Sequence, residues 1–379
     1  MKIVYNIAGT YRPAGMERVL ANKTRWLCAQ VDSYGKPKYE VVIVTTDQMG
    51  RKPAFEFSSR IRFCDLGINY EANNGGSFLD KLVHYPFKQI KHRIKLTQLL
   101  KREKADIVVS MFCNDASFIP KIKDGSHKVL EIHFSRFKRL QYGRKGIWAL
   151  ADRIRSRADL RTVARFDRFI VLTEEDKGYW GDLPNIEVIP NARTFTTGTP
   201  STLDHRRVIA VGRYNFQKQF EKLIDAWKFL AKEFDTWTLR LVGDGEERAF
   251  LERRIADYNL QGSVVLGPES DMKSVYEHAD ILAMSSRFEG LPMVLLEAQA
   301  AGLPIASFKC KCGPRDVITD GVDGFLVEEG DSTELADKLF LLMSDEELRK
   351  RMGAAAYKAS ERYSEEKIMS RWENLFASL

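Results

Sequence analysis

Glu289 and Glu297 bracket a segment whose residue types suit ligand chemistry. Glu289 falls in Ser286-Arg287-Phe288-Glu289-Gly290-Leu291-Pro292, which reads as a loop. Glu297 follows eight positions later among the apolar helix formers of Met293 to Ala298. Pro292 suits a helix start, so a helix is expected to begin between the two carboxylates. An eight-residue offset is about 12 Å along a helix axis, comparable with the reach of a nucleotide-sugar from hexose to ribose. The first amides of such a helix lack intrahelical acceptors and form a natural seat for phosphate. One short segment would thus hold a sugar, a pyrophosphate and a ribose.

Other loops carry weaker signals. Val211-Gly212-Arg213-Tyr214-Asn215-Phe216-Gln217-Lys218 leaves the end of a strand. Arg213 offers a planar fork and Lys218 a point charge, a pair able to hold a diphosphate without a metal; solvated surface charge is the plain alternative. Gly9-Thr10-Tyr11-Arg12-Pro13-Ala14-Gly15-Met16-Glu17-Arg18 follows the first strand, and Gly15 would allow close backbone approach to a phosphate or sugar. No dinucleotide-binding glycine pattern opens that helix. Asp244 in Val242-Gly243-Asp244-Gly245 can cap the next helix. Val264-Val265-Leu266-Gly267 would lay backbone near Leu266 against a nucleobase. His133, just beyond the strand Val129–Ile132, is a candidate to meet a reacting group. Turn geometry and ordinary polar surface remain the plain readings of these positions.

Elements must hold these loops in place. Strands are expected at Ile3–Ile7, Val41–Thr45, Ile107–Ser110, Val129–Ile132 and Phe169–Leu172, with helices at Met16–Gln30, Leu79–Arg102 and Ile147–Arg165. After a polar seam from Pro190 to Ser201, the rhythm restarts. Strands follow at Val208–Val211, Leu239–Val242, Val264–Leu266, Ile281–Met284, Pro304–Ser307 and Phe325–Val327. Helices are expected at Gln219–Glu233, Glu246–Asn259, Met293–Ala301, Glu334–Leu342 and Glu346–Ala359. Short β-branched runs alternating with amphipathic helices imply α/β architecture with parallel sheets. The expectation is two Rossmann-like, doubly wound domains, 1–195 and 196–363, facing a cleft with their strand C-terminal ends. A last helix within 364–379 would cross back to the first domain.

Composition is that of a soluble globular chain. No apolar run is long enough to span a bilayer, and Met1 to Ile7 reads as a first strand rather than a signal peptide. Five irregularly spaced Cys suit a reducing cytosol. Cys310 and Cys312 lack the second Cys/His pair that a metal or redox motif requires. No D-x-D, H-E-x-x-H, G-x-S-x-G or P-loop pattern occurs, so no metal site is indicated. The charge is uneven: residues 1–195 carry a balance of +14 and the remainder −7, against +7 for the chain. The excess gathers at Lys81–Lys104 and Arg136–Arg168, including Arg139 and Arg144. An anionic partner follows, and without a nucleic-acid-binding signature a membrane surface is favoured over nucleic acid. Ordinary solvated helix faces are the alternative.

Taken in order, these segments resemble the family 4 retaining glycosyltransferases, with the GT-B fold. The resemblance runs from Met1 to about Ala359. Glu289 and Glu297 match the family's E-x7-E motif, and Arg213 with Lys218 its Gly-Arg…Lys pair. The early loop resembles Gly-Gly-x-Glu-Arg with Ala14 in place of the first Gly. Ala300-Ala301-Gly302-Leu303-Pro304, Gly313-Pro314-Arg315-Asp316-Val317-Ile318 and Gly321 to Val327 also match, the second resembling hexosyltransferases of capsular and exopolysaccharide assembly.

The resemblance implies site roles. Glu289 and His133 would be catalytic, Glu289 on the hexose hydroxyls and His133 near the anomeric carbon. Glu297 would bind the ribose, and Arg213 and Lys218 the diphosphate, with Gly15, Gly290, Leu291, Pro292, Met293 and Leu266 completing the donor site. It further implies a UDP-sugar as donor substrate, no cofactor, and transfer of a hexose or N-acetylhexosamine to a glycan acceptor that is lipid-linked. The enzyme would work in the cytoplasm, peripheral on the inner face of the plasma membrane. A nucleotide-sugar 2-epimerase of the same architecture and a non-catalytic nucleotide-sugar-binding subunit are the alternatives.

Overall fold

The computed structural model of the 379-residue chain describes residues 1–73, 78–141, 145–196 and 198–379. Arg144, in the second basic run, and Thr197, in the seam, lie outside the described residues. So do the side chains of Lys81, Leu82, Val83 and Arg139. The chain divides into two compact units. The first holds Met1–Leu172, Lys177–Ile189 and Met369–Leu379; the second holds Thr173–Asp176 and Pro190–Ile368.

The first unit is built on seven strands: β1 Lys2–Ile7, β2 Glu40–Thr45, β3 Arg62–Asp65, β4 Ile107–Ser110, β5 His127–Glu131, β6 Arg168–Val171 and β7 Ile186–Val188. They pair in the order β3-β2-β1-β4-β5-β6-β7, every pair parallel. β-Branched central strands such as Val41-Val42-Ile43-Val44 are buried on both faces, as a helix-covered sheet requires. The edge strands β3 and β7 escape a pattern search. One is Arg-Phe-Cys-Asp and largely exposed, the other only three residues long, so neither shows a β-branched run. One face of the sheet carries a core in which Leu96, Leu99 and Leu100 of the Phe78–Glu103 helix join Ile119 and Val163.

The second unit has β8 Arg207–Val211, β9 Thr238–Val242, β10 Val264–Gly267, β11 Ile281–Met284, β12 Ile305–Phe308 and β13 Gly324–Val327. The order is β10-β9-β8-β11-β12-β13, again all parallel. Its core gathers Trp227, Leu223 and Leu230 of the Phe220–Leu230 helix with Leu335 and Leu339 of the Ser332–Ser344 helix. In each sheet the strand order reverses at the first strand of the unit, between β1 and β4 and between β8 and β11. Loops leaving the strands at that reversal form a crevice where ligands bind in such folds.

Pro190–Phe195 falls in the second unit, where the Arg193 amide donates to Tyr363 O at 2.9 Å and the Phe195 ring packs tilted against Tyr276. Met369–Leu379 falls in the first unit. There Trp372 is buried, and Glu373 accepts hydrogen bonds from Lys38 and Tyr39.

Candidate functional site

At the reversal of the second sheet, glycines let three strand ends knit together. The Gly212 amide donates to Val242 O and the Gly243 amide to Gly267 O, each at 3.0 Å. Gly243 has φ +152, and a Cβ there would lie 2.0 Å from Gly212 O. No other residue type fits so close an approach. Tyr214, fully buried, braces the same turn by donating to Leu241 O and accepting from the Gly267 amide. The loop after β8 is therefore fixed where it passes the loop after β11.

These two loops are bonded to each other. The Arg287 amide donates to Gln217 O at 2.8 Å, and Ser285 Oγ to Lys218 O at 3.0 Å. Gln217 Nε2 donates to Phe288 O and to Glu289 Oε2. Lys218 Nζ stands 2.7 Å from Glu289 Oε1, with both side chains largely buried. A third loop, after β12, closes the set: Phe288 forms a parallel bridge with Lys311, and the Glu289 amide donates to Lys311 O. Gly313, at φ +103, sits against Pro292, where a Cβ would come within 2.3 Å of the ring. Burial pushes the Cys310 thiol well up, and the Glu289 carboxylate beside it adds to the shift.

The Met293–Ala300 helix starts directly after Pro292, with no side chain capping its first amides. Glu297, one turn in, is only 4% exposed. Its Oε1 accepts from Thr194 Oγ and its Oε2 from Tyr276 Oη, both at 2.7 Å. Thr194, Tyr276 and Gln217 escaped the sequence reading. Thr194 lies 103 positions from Glu297, and no local pattern marks such a partnership.

The other expected site residues are placed as follows. Gly290 is half-buried, and Leu291 and Pro292 are buried in the loop. Met293 opens the helix. Leu266 lies in β10 opposite Leu241, its side chain packed on the core. Arg213 does not join Lys218: it is exposed and pairs with Glu246 at 3.0 Å. Asp244 does not cap a helix. It accepts from the adjacent Gly245 amide, and the helix begins only at Arg248.

In the first unit, Gly15 opens the Gly15–Ala29 helix, and a Cβ there would meet nothing within 4 Å. Packing alone does not demand glycine at that position. His133 Nε2 lies 3.1 Å from Glu131 Oε1, and Lys23 Nζ lies 2.6 Å from the same oxygen. Burial pushes the Glu131 carboxyl up, but Lys23 and His133 outweigh it and hold the group down at about 2. Lys23 in turn lies over the Trp372 ring, 3.5 Å from its centroid.

The family model described as glycosyl transferases group 1 matches residues 197–359, the stretch that carries the Lys218–Glu289 pair and Glu297. The chain is 36% identical over 220 residues to the amylovoran biosynthesis glycosyltransferase AmsD of Erwinia amylovora, an alignment spanning 55% of this chain and 62% of AmsD. It is 26% identical, over essentially the full length of both, to a Campylobacter jejuni enzyme. That enzyme is GalNAc-alpha-(1->4)-GalNAc-alpha-(1->3)-diNAcBac-PP-undecaprenol alpha-1,4-N-acetyl-D-galactosaminyltransferase. Among solved structures, Anabaena Alr3699/HepE in complex with UDP and glucose matches across the whole of both chains, with a TM-score of 0.72 and 17% identity. That likeness shows the fold: two parallel-sheet α/β units of the GT-B kind. The group 1 segment therefore supplies the β8, β11 and β12 loops that form the Lys218–Glu289 site.

Proposed function

We propose that the chain is a retaining glycosyltransferase. It transfers a hexose or N-acetylhexosamine from a UDP-sugar to a hydroxyl of a lipid-linked glycan in surface polysaccharide assembly. The observation that carries this reading is the Lys218–Glu289 contact at the sheet reversal, directly before a helix with no side-chain cap that carries Glu297 one turn in. The AmsD likeness supports a polysaccharide product, and the Campylobacter enzyme's undecaprenol-linked acceptor supports the lipid-linked one.

In this reading Lys218 and the helix amides meet the diphosphate, and Arg213 leaves Glu246 to join them. The bond from the anomeric carbon to the phosphate oxygen breaks, and charge grows on the leaving UDP. A fixed cation and a helix N-terminus stabilise that charge more in the transition state than in the ground state. Glu289 holds hexose hydroxyls beside the oxocarbenium-like carbon. The acceptor oxygen attacks the same face, and its proton passes to the leaving phosphate oxygen. His133 is the first unit's candidate catalytic group. The residues named supply all the charge this scheme requires, so the reaction is proposed to need no metal.

Glu297 is assigned the ribose. UDP should bind about tenfold or more tighter than its 2′,3′-dideoxy analogue, as expected for hydrogen bonds to a charged acceptor. Glu297→Gln should erase that preference in calorimetric titration. A preference unchanged by the substitution would remove Glu297 from the ribose.

The reading as a whole is tested by donor hydrolysis without acceptor, across UDP- and GDP-hexoses and N-acetylhexosamines, with and without EDTA. One UDP-sugar cleaved above the others, insensitive to EDTA, is expected. If every donor is inert, a lipid-linked acceptor is added. Tight UDP binding with no transfer even then would mean a binding subunit, and conversion of the sugar without its release would mean an epimerase.

A further inference from the structure

The Phe78–Glu103 helix turns one apolar stripe outward. Phe87, Ile90 and Ile94 are 69%, 58% and 52% exposed. Spaced i, i+3, i+7, they fall within about 60° of arc on the helix. The opposite side is the one that packs, through Leu96, Leu99 and Leu100. Buried apolar residues satisfy the sheet below, so the outward stripe is surplus to the fold. A second helix repeats the arrangement. In Ile147–Val163, Leu150 and Ile154 are 60% and 58% exposed, while Val163 packs inward.

Both helices lie on the same face of the first sheet. β3 to β4 and β5 to β6 each step in the same direction along the strand order, and right-handed crossovers place both connections on one side. The shared core of Leu96, Leu100, Ile119 and Val163 agrees. The two stripes are thus parts of one layer.

Charge surrounds them. Lys91, Arg93 and Lys95 are exposed beside the first stripe, and from His84 to Arg102 there is no acidic residue. Arg157 and Arg161 continue the line of Leu150 and Ile154 by further helical turns, both exposed. Long basic side chains beside exposed Phe, Ile and Leu suit a bilayer interface, where the apolar groups enter and the cations meet lipid phosphates. Nucleic acid would be served by the cations but not by Ile90, Ile94, Leu150 and Ile154, which offer no stacking surface and no base-edge hydrogen bond. The first unit also carries the chain's whole positive excess.

We infer that this layer of the first unit is a docking surface for an anionic lipid bilayer. The apolar stripes insert at the headgroup boundary, and the flanking Lys and Arg bind the acidic headgroups. No described helix is long and apolar enough to cross a membrane, so the attachment is to the surface. The inference stands apart from the assignment of the transfer reaction, since none of these residues belongs to the Lys218–Glu289 site.

The test is co-sedimentation of the full chain with phosphatidylcholine vesicles, with and without phosphatidylglycerol. Binding is expected to be roughly tenfold or more stronger to the anionic vesicles and to weaken with salt. Ile90→Glu with Ile94→Glu should lower it by a similar factor with circular dichroism and UDP affinity unchanged. Phe229→Ser, at an equally exposed position of the second unit, should leave it intact. Equal binding to neutral vesicles, no binding, or indifference to the Ile90/Ile94 pair would overturn the inference. RNA outcompeting anionic vesicles would assign the face to nucleic acid instead. A dimer broken by the same substitutions would assign it to a second copy of the chain.

Discussion

Glu289→Gln is expected to lower sugar transfer by about a hundredfold to a thousandfold, the usual cost of removing one preorganised electrostatic group, while UDP affinity holds or rises slightly. The reason lies in the ligand-free pairing. Glu289 occupies the Lys218 ammonium at 2.7 Å, so a diphosphate must compete for that cation. Replacing the carboxylate by an amide releases Lys218 to the phosphate and removes the group beside the sugar. Lys218→Ala should do the reverse to binding. A lost hydrogen bond to a charged phosphate is worth about 1.5–3 kcal/mol, hence roughly tenfold or more in UDP affinity. It also leaves Glu289 largely buried with only Gln217 as a described side-chain donor. Calorimetric titration of UDP, beside transfer rates, separates the two variants. Equal loss of UDP affinity in both would end this division of roles.

Lys23→Met is expected to destabilise the first unit by about 3–5 kcal/mol, because Glu131 would remain buried without its lysine, with His133 as the other described group beside it. Lys23 and Glu131 are 5% and 1% exposed and 2.6 Å apart. They tie the first helix to β5, and Lys23 contacts Trp372 near the end of the chain. Amide exchange in β1, β4 and β5 should accelerate roughly a hundredfold or more, while the second unit's sheet is unaffected. Lys23→Met with Glu131→Gln should recover much of the loss, since no unpaired charge remains. Identical exchange in the single and double variants would show that packing, not charge, is at stake.

The same pair sets an acid response. The folded Glu131 carboxyl, at about 2, lies below its ordinary 4.5. A depressed carboxyl contributes its full stability above about 4.5 and loses it as pH falls through about 2. Acid unfolding of the first unit should therefore steepen across that window. In Glu131→Gln this component should vanish, as read by near-ultraviolet circular dichroism against pH.

Much of the architecture is legible in residue order. β-Branched runs such as Val41 to Val44 and Ile107 to Val109 are strands because such side chains, at that density, fill a sheet covered on both faces. Pro292 and the apolar helix formers after it mark where the Met293–Ala300 helix starts, with Glu289 before it and Glu297 within it. Spacing along one element is a local property, and the chain carries it directly. Partnerships between elements are different. Residue order places Arg213 and Lys218 together as cations of one loop, yet Lys218 reaches Glu289 while Arg213 turns to Glu246. It does not show that Thr194 and Tyr276 hold Glu297, or that Lys23 is caught between Glu131 and Trp372. Those choices depend on strand order and on which loops the reversal between β8 and β11 brings side by side. A charge selects among neighbours only after the sheet has decided who they are, so the residue types of the site were written in the sequence and their pairings came with the tertiary structure.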